Sequence, residues 1–360
     1  MKTRIIPIFI PHLGCPFQCL YCNQKKQTGR EILSDVRSLD IRSTAERYLF
    51  TFPDDINHVE IGFFGGTFTG LNAEIQKLFL SQAEKVMENH PRIKGIRIST
   101  HPLLINLPVL AFLKNFPVRV IELGIQSFDD TVLMKSGRMY SAEKAIESAL
   151  LIKENGFQLG LQLMTGLPFD SEQISYTSAL KACRLLPECI RIYPCIVFKN
   201  TPLERHFKEG KYTPPFLEET IVSIKKLLLL FHTQRIPVIR VGIHPVKNIG
   251  DILAGPYHPS LRALCEQALR FDLILSLIEK SCRSLEIHCP AHQESYFRGQ
   301  KNANISRLRE MFPSCDFSVV VCHEAPFVII DKTRKVSLPF EALKKDYERR
   351  LFLNSLSHIC

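Results

Sequence analysis

No apolar stretch in the 360 residues approaches the roughly 18 that a membrane-spanning helix needs. The longest helix-like candidate, Ile221 to Phe231, is interrupted by Lys225 and Lys226. The N-terminal run from Ile5 to Ile10 is broken by Pro7 and followed by Pro11 and His12, short of the about 7 to 15 apolar residues of a signal peptide. Leu13-Gly14-Cys15 therefore does not read as a lipoprotein cleavage site. Tryptophan is absent, no low-complexity tract occurs, and no internal repeat goes beyond strand-helix alternation, which removes the solenoid architectures. No second C-x2-C pair exists, so a four-ligand structural zinc site lacks half of its usual set. With no secretory signal, the 12 cysteines imply a reducing compartment, where thiols act as ligands or core residues, and a cytoplasmic location is expected.

What is present is concentrated in Cys15-Pro16-Phe17-Gln18-Cys19-Leu20-Tyr21-Cys22. Three soft thiolates at C-x3-C-x2-C spacing suit an iron-sulfur cluster, and three ligands leave one iron of a 4Fe-4S cubane without protein. As on a catalytic metal, such a position is open to a substrate or cofactor. Zinc is the competing reading of these thiols.

Around that loop the chain alternates strands and helices. Strands are expected at Ile5–Phe9, Val59–Phe64, Ile96–Ser99, Val120–Ile125, Leu159–Met164 and Ile190–Tyr193, with helices after Asn72 and over 104–114, 142–154, 171–185 and 217–231. Alternation implies parallel sheet, and six strand-helix units imply an α/β fold, a partial (β/α)6 TIM-like barrel with functional groups on the loops after the strands. Past Val238–Val241 the pattern breaks at His244-Pro245 and Gly255-Pro256. The expected division is a core barrel over 1–245 and a smaller α+β appendage over 246–360, ending in a charged helix near 341–352.

These motifs, in this order, resemble the radical S-adenosylmethionine (radical SAM) superfamily over roughly residues 5–245. The resemblance is nearest to the Elongator catalytic-subunit-like branch, and it implies an iron-sulfur enzyme. By that resemblance Cys15, Cys19 and Cys22 hold a 4Fe-4S cluster whose open iron takes S-adenosyl-L-methionine. Its reductive cleavage gives a 5'-deoxyadenosyl radical for hydrogen abstraction. Gly65-Gly66-Thr67-Phe68 resembles the superfamily's glycine motif, with Thr67 where many members carry Glu. Glu122-Leu123-Gly124-Ile125-Gln126-Ser127-Phe128 with Arg138 resembles the fourth-strand region, placing Gln126 and Arg138 on the cofactor. Gln162-Leu163-Met164-Thr165-Gly166-Leu167-Pro168 resembles the fifth-strand motif, placing Gln162 and Ser99 near the ribose and Gly166 at the backbone turn. Gln24 and Phe9 stand where coproporphyrinogen III oxidases carry a cysteine and a tyrosine, which argues against haem synthesis. The 115 residues after position 245 lack an acetyl-CoA pyrophosphate loop, so acetyltransferase activity is not expected.

The resemblance further implies a one-electron reductant such as flavodoxin or ferredoxin, and tRNA as a substrate. Charge bears on the second point: residues 199–250 carry nine basic and four acidic residues, half of the net excess of +10. Lys199, Arg205, Lys208 and Lys211 are candidates for phosphate contact, against the plain reading of a solvated basic loop. A small metabolite or a protein as substrate, and a non-catalytic iron-sulfur sensor or electron carrier, are the alternatives. Of the remaining cysteines most are expected in cores. His288-Cys289-Pro290-Ala291-His292 with Cys315 or Cys322 is a candidate second metal site.

Overall fold

The computed structural model describes residues 3–24, 26, 39–276, 278, 281–322, 328–333 and 336–339. Its contacts divide the chain into two compact units, 1–217 with 236–259, and 218–235 with 260–360. The sequence boundary near 245 differs from that division at two places. The short strands β7 (Val197–Phe198) and β9 (Ile252–Ala254) pair, which ties 252–254 to the first unit. Most of the helix Leu217–Thr233 belongs to the second, where Lys225 and Asp272 form an ion pair at 2.5 Å.

In the first unit β1 (Arg4–Phe9), β2 (Val59–Phe64), β3 (Ile93–Thr100), β4 (Val118–Gln126), β5 (Gln158–Thr165), β6 (Cys189–Pro194) and β8 (Val238–Val241) form one parallel sheet in the order β1-β2-β3-β4-β5-β6-β8. Val238–Val241, where the sequence pattern changes, is the seventh strand. Within the sheet β1 and β8 each have one neighbour, so the barrel is partial. Pro7 is tolerated in β1 because an edge strand leaves a row of N–H groups unpaired. Ile6 and Ile8 are buried, while Ile5, Pro7 and Phe9 line the interior cavity, the period-two signature of a strand.

The helix Ala73–Asn89 shows how the outer layer is specified. The Asn72 side chain accepts from the Ile75 N–H at 2.8 Å, and Phe79, Leu80, Ala83 and Val86 are buried. Residues expected as a basic loop after β6 instead form the helix Pro202–Lys208, capped by Thr201 and started by Pro202.

The second unit pairs the helix Leu261–Leu275 and two shorter ones with a mixed sheet ordered β11-β10-β12-β13, where β10 is Ser284–Cys289, β11 Asp316–Val321, β12 Val328–Asp331 and β13 Val336–Pro339. The charged helix expected near 341–352, and Cys360, lie outside the described residues. Among the described residues no helix is long and apolar enough to cross a membrane.

Candidate active site

The cysteine loop leaves β1 and is bound at once to the glycine turn after β2. The Ile10 N–H donates to the Phe64 carbonyl at 2.8 Å, the His12 N–H to Gly65 at 2.9 Å, and the Thr67 N–H to Leu13 at 2.8 Å. This pairing leaves no space at Gly66: a Cβ there would lie 2.4 Å from the Leu13 oxygen and 2.5 Å from the Ile10 oxygen. Gly65 differs, since its φ of +87° favours glycine while a Cβ there would meet the Gln24 side chain at 3.4 Å, the Phe9 ring at 3.6 Å and the Ile10 nitrogen at 3.8 Å, all ordinary contacts.

Each thiol has a polar neighbour from a different segment. Cys15 Sγ lies 3.3 Å from Thr67 Oγ1, Arg138 Nη1 donates to Cys19 Sγ at 3.2 Å, and Gln24 Nε2 to Cys22 Sγ at 3.5 Å. Burial, with Cys19 beside it, pushes the Cys22 thiol up to about 12. A bound metal reverses this, because a coordinating thiol gives up its proton.

The facing wall is built on the end of β4. The β4–β5 register shifts between Gly124 and Gln126, and Gln126 takes a φ of +72°, a conformation that a non-glycine residue adopts at a cost. Its Oε1 is buried, with no hydrogen-bond partner among the described residues. Arg138, which the sequence alone would leave on the surface, is 7% exposed. Its Nη2 donates to the Gly124 carbonyl and, at 3.0 Å, to Tyr140 Oη, and the guanidinium lies 5.1 Å from the Tyr140 ring centroid. The Tyr140 hydroxyl in turn donates to Ile125 O at 2.5 Å.

His101, which the motifs do not single out, is buried beside this group. Its ring is perpendicular to Tyr140 at 4.9 Å, its Nδ1 accepts from the Leu103 N–H at 3.3 Å, and its Nε2 has no partner among the described residues. Burial, reinforced by the nearby Arg138 charge, lowers it to about 3, so the ring is neutral. Only its place just past a strand end could have marked it in the sequence.

Beneath the loops, the sheet interior carries charge where a full barrel carries branched aliphatics. Arg97 binds Glu60 through Nη2 at 2.7 Å and Glu122 through Nη1 at 2.8 Å. Arg191 binds Glu122 with two bonds, at 2.7 and 3.0 Å, and lies over the Phe64 ring at 4.8 Å. Gln162 Nε2 donates to Glu122 Oε2 at 2.9 Å and to Ser99 Oγ at 3.1 Å. Burial opposes ionisation of Glu122, but Arg191 and Arg97 prevail and hold its carboxyl down to about 2.

Cys15, Cys19, Cys22, Gly65, Gly66, Thr67, Ser99, Gln126, Arg138 and Gln162 all line one cavity of about 910 Å³, together with His101. Gly166 is absent from that lining: its N–H donates to Asp170 at 2.8 Å and its carbonyl accepts from Tyr212 at 2.5 Å. Among the described residues no group of three His, Cys, Asp or Glu side chains could hold a single metal ion. Ligands of a cubane need not converge in that way, since each of the three thiols would take a different iron. In the second unit, Cys322 meets His288 at 3.4 Å and Cys315 meets Cys282 at 3.4 Å, without converging on one point.

The family model described as the Radical SAM superfamily matches residues 9–175, and the Radical_SAM C-terminal domain matches 187–270. The chain belongs to the radical SAM superfamily. Within it, the chain is 24% identical over 342 residues to a tRNA uridine(34) acetyltransferase of Dehalococcoides mccartyi, covering 86% of this chain and 71% of that protein. A tRNA uridine(34) acetyltransferase of Methanocaldococcus infernus is 26% identical over 185 residues, covering 46% of this chain but 35% of that protein, so the chain spans about a third of this relative's length. The fold is similar to that of the archaeal Methanocaldococcus infernus Elp3, with a TM-score of 0.59 at 19% identity over 78% of this chain and 66% of that one. Radical SAM membership implies a 4Fe-4S cluster and S-adenosylmethionine, and the residues present suit both. Three thiols on one loop offer the donors, and the orphaned Gln126 acceptor lines the same cavity as they do.

The four basic candidates after β6 are partly spoken for. Arg205 pairs with Glu209 at 2.8 Å, Lys208 with Glu204 at 2.7 Å and Lys211 with Glu209 at 2.7 Å. The helix that carries two of them adjoins the cysteine loop, where the Leu203 N–H donates to the Leu20 carbonyl at 2.9 Å.

Proposed function

We propose that Cys15, Cys19 and Cys22 hold a 4Fe-4S cluster, that S-adenosylmethionine occupies the cavity beside it, and that the enzyme modifies a tRNA. The observation that carries this reading is the meeting of the three-thiol loop and the unpartnered Gln126 acceptor in one cavity. When bound and reduced, the cluster and cofactor supply a 5'-deoxyadenosyl radical. The protein's part is placement and exclusion of water. Arg138 holds the Cys19 sulfur through a hydrogen bond, Gln126 Oε1 accepts from a donor on the cofactor, and Ser99 with Gln162 offers hydroxyl and amide groups suited to a ribose. Gly65 admits close approach of the amino-acid moiety, while Gly66 and Thr67 fix the loop that bears Cys15.

The tRNA substrate is inferred from the relatives' names and from the basic helix beside the cysteine loop, and a one-electron reductant such as flavodoxin or ferredoxin completes the system. Anaerobic reconstitution with iron, sulfide, reductant and S-adenosylmethionine tests the chemistry, with 5'-deoxyadenosine as the expected product. Addition of unmodified tRNA should raise its yield. No 5'-deoxyadenosine from protein with full iron content would refute the enzyme reading, and a yield indifferent to tRNA would refute the substrate.

A further inference from the structure

Arg191 on β6 and Arg240 on β8 are direct register partners on adjacent strands. Like charges placed opposite each other in a sheet are destabilising unless something offsets them. Arg191 has its counter-charge in Glu122. Arg240 has none: among the described residues no carboxylate pairs with it, and its one hydrogen bond is from Nε to the Gly242 carbonyl at 3.0 Å. The terminal nitrogens of a guanidinium, planar and always charged, are thus left without a protein acceptor. The interior layer holds Glu60 and Glu122 against Arg97, Arg191 and Arg240, an excess of positive charge along one cavity wall.

Arg240 is half-buried and lines that cavity together with Tyr193, Arg191 and His244. Tyr193 adds a hydroxyl. Burial and then the two arginines lower His244 to about 4, so its ring is neutral and can donate through one nitrogen without adding charge. Phe9 stands edge-on to His244 at 5.4 Å, giving the polar group an apolar side.

We propose that Arg240, with Arg191, Tyr193 and His244 around it, binds the oxyanion of a small co-substrate, a carboxylate or a phosphate monoester. The proposal rests on the reading above in placing the reaction in this cavity, and it deepens it by naming a second reactant and the group that anchors it there. Arg191 and Arg240 are strand residues, whereas the thiols lie on a loop past a strand end. An anion held at strand level leaves the rest of the molecule to extend toward the loops where the reaction is placed.

The test is binding to the reconstituted protein in the absence of S-adenosylmethionine, so that its outcome is separate from cofactor cleavage. Thermal unfolding is followed against acetate, malonate, inorganic phosphate and uridine 5'-monophosphate, with chloride at matched ionic strength as the baseline. A ligand that binds only the folded state raises the midpoint. One chemical group, carboxylates or phosphates, should raise it above the chloride baseline, and which of them does so identifies the source. Arg240→Gln should weaken the apparent affinity about tenfold or more, with Arg240→Lys intermediate because it keeps the charge but loses the fork. Iron content and the midpoint in chloride show that each variant is folded. If no anion shifts the wild-type midpoint, or if Arg240→Gln keeps the wild-type shift, the anion site does not exist, whatever the protein does with S-adenosylmethionine.

Discussion

The mouth of the first unit is shaped by backbone pairing and short side chains: the turn at Ile10–Leu13 is bonded to Gly65 and Thr67, and Cys15 rests on the Thr67 hydroxyl. Its strand interior is shaped by long polar side chains, with the charged Glu60, Arg97, Glu122 and Arg191 and the amide of Gln162 reaching across five strands. The first construction joins two short runs of consecutive residues by backbone hydrogen bonds and leaves no room for added volume at Gly66. The second makes a polar chamber from residues scattered over 130 positions of sequence, and its weak point is charge rather than space. Perturbing volume at the mouth should therefore remove the metal, and perturbing charge in the interior should remove stability.

The largest effect is expected at Gly66. A valine there would overlap the carbonyl oxygens of Leu13 and Ile10, so the loop must move, and Gly66→Val should lose most of its iron. Gly65→Ala has room for its methyl and should keep iron, at a cost of about 1 to 2 kcal/mol for the left-handed conformation. Iron and sulfide assays on the two purified variants make the comparison, and equal iron in both would break it.

Next comes the interior. Glu122→Gln leaves Arg97 and Arg191 without their shared counter-charge and should cost about 3 to 5 kcal/mol in denaturant unfolding. The pH dependence follows from the same residue. Glu122 is held from 4.5 down to about 2, so its contribution is complete above pH 4.5 and fades as pH falls toward 2. In a background with all three cysteines changed to alanine, where acid cannot act through a cluster, the carrier of Glu122 should lose stability in that range more steeply than Glu122→Gln. Parallel curves would show that the network is not ionised as described.

His101 joins the two regions. Replacing it with Phe keeps a ring against Tyr140, removes the buried Nε2 and also removes the Nδ1 that accepts from the Leu103 N–H. These two changes oppose each other, so unfolding stability should stay within about 1 kcal/mol, whereas S-adenosylmethionine affinity should fall about tenfold. Destabilisation with unchanged cofactor affinity would make His101 a packing residue.

The smallest effect is expected on the outer surface. Because Arg205, Lys208 and Lys211 are paired with Glu204 and Glu209, changing them and Lys199 to alanine should reduce the salt slope of tRNA binding by about two rather than four. A reduction of the full four would mean that these ion pairs open on binding, and none would remove the surface from the account.

The same contrast decides what could be read from the chain. Cys15, Cys19 and Cys22, Gly65 and the strand-helix alternation were legible because each signal lies within a few residues of itself. Gln126, Arg138 and Gln162 were reached through motif resemblance, although nothing local marks Arg138 as buried. The ionic layer was not legible, since a Glu or Arg inside a strand reads as solvent-facing until neighbouring strands supply its partner. His101 escaped because the burial of its Nε2 away from any acceptor or donor among the described residues is a fact of three-dimensional packing. The helix Pro202–Lys208 was hidden by its polarity, which its cap and ion pairs with Glu204 and Glu209 put to use.

The central claim is that three thiols leave one iron open to a cofactor held in the cavity they line. Electron paramagnetic resonance of the reduced, reconstituted protein with and without S-adenosylmethionine tests it most directly. A 4Fe-4S signal that changes when S-adenosylmethionine is added, and that is lost when any one of Cys15, Cys19 and Cys22 is replaced by alanine, is the predicted result. A signal indifferent to S-adenosylmethionine, or one that survives removal of these cysteines, would contradict it.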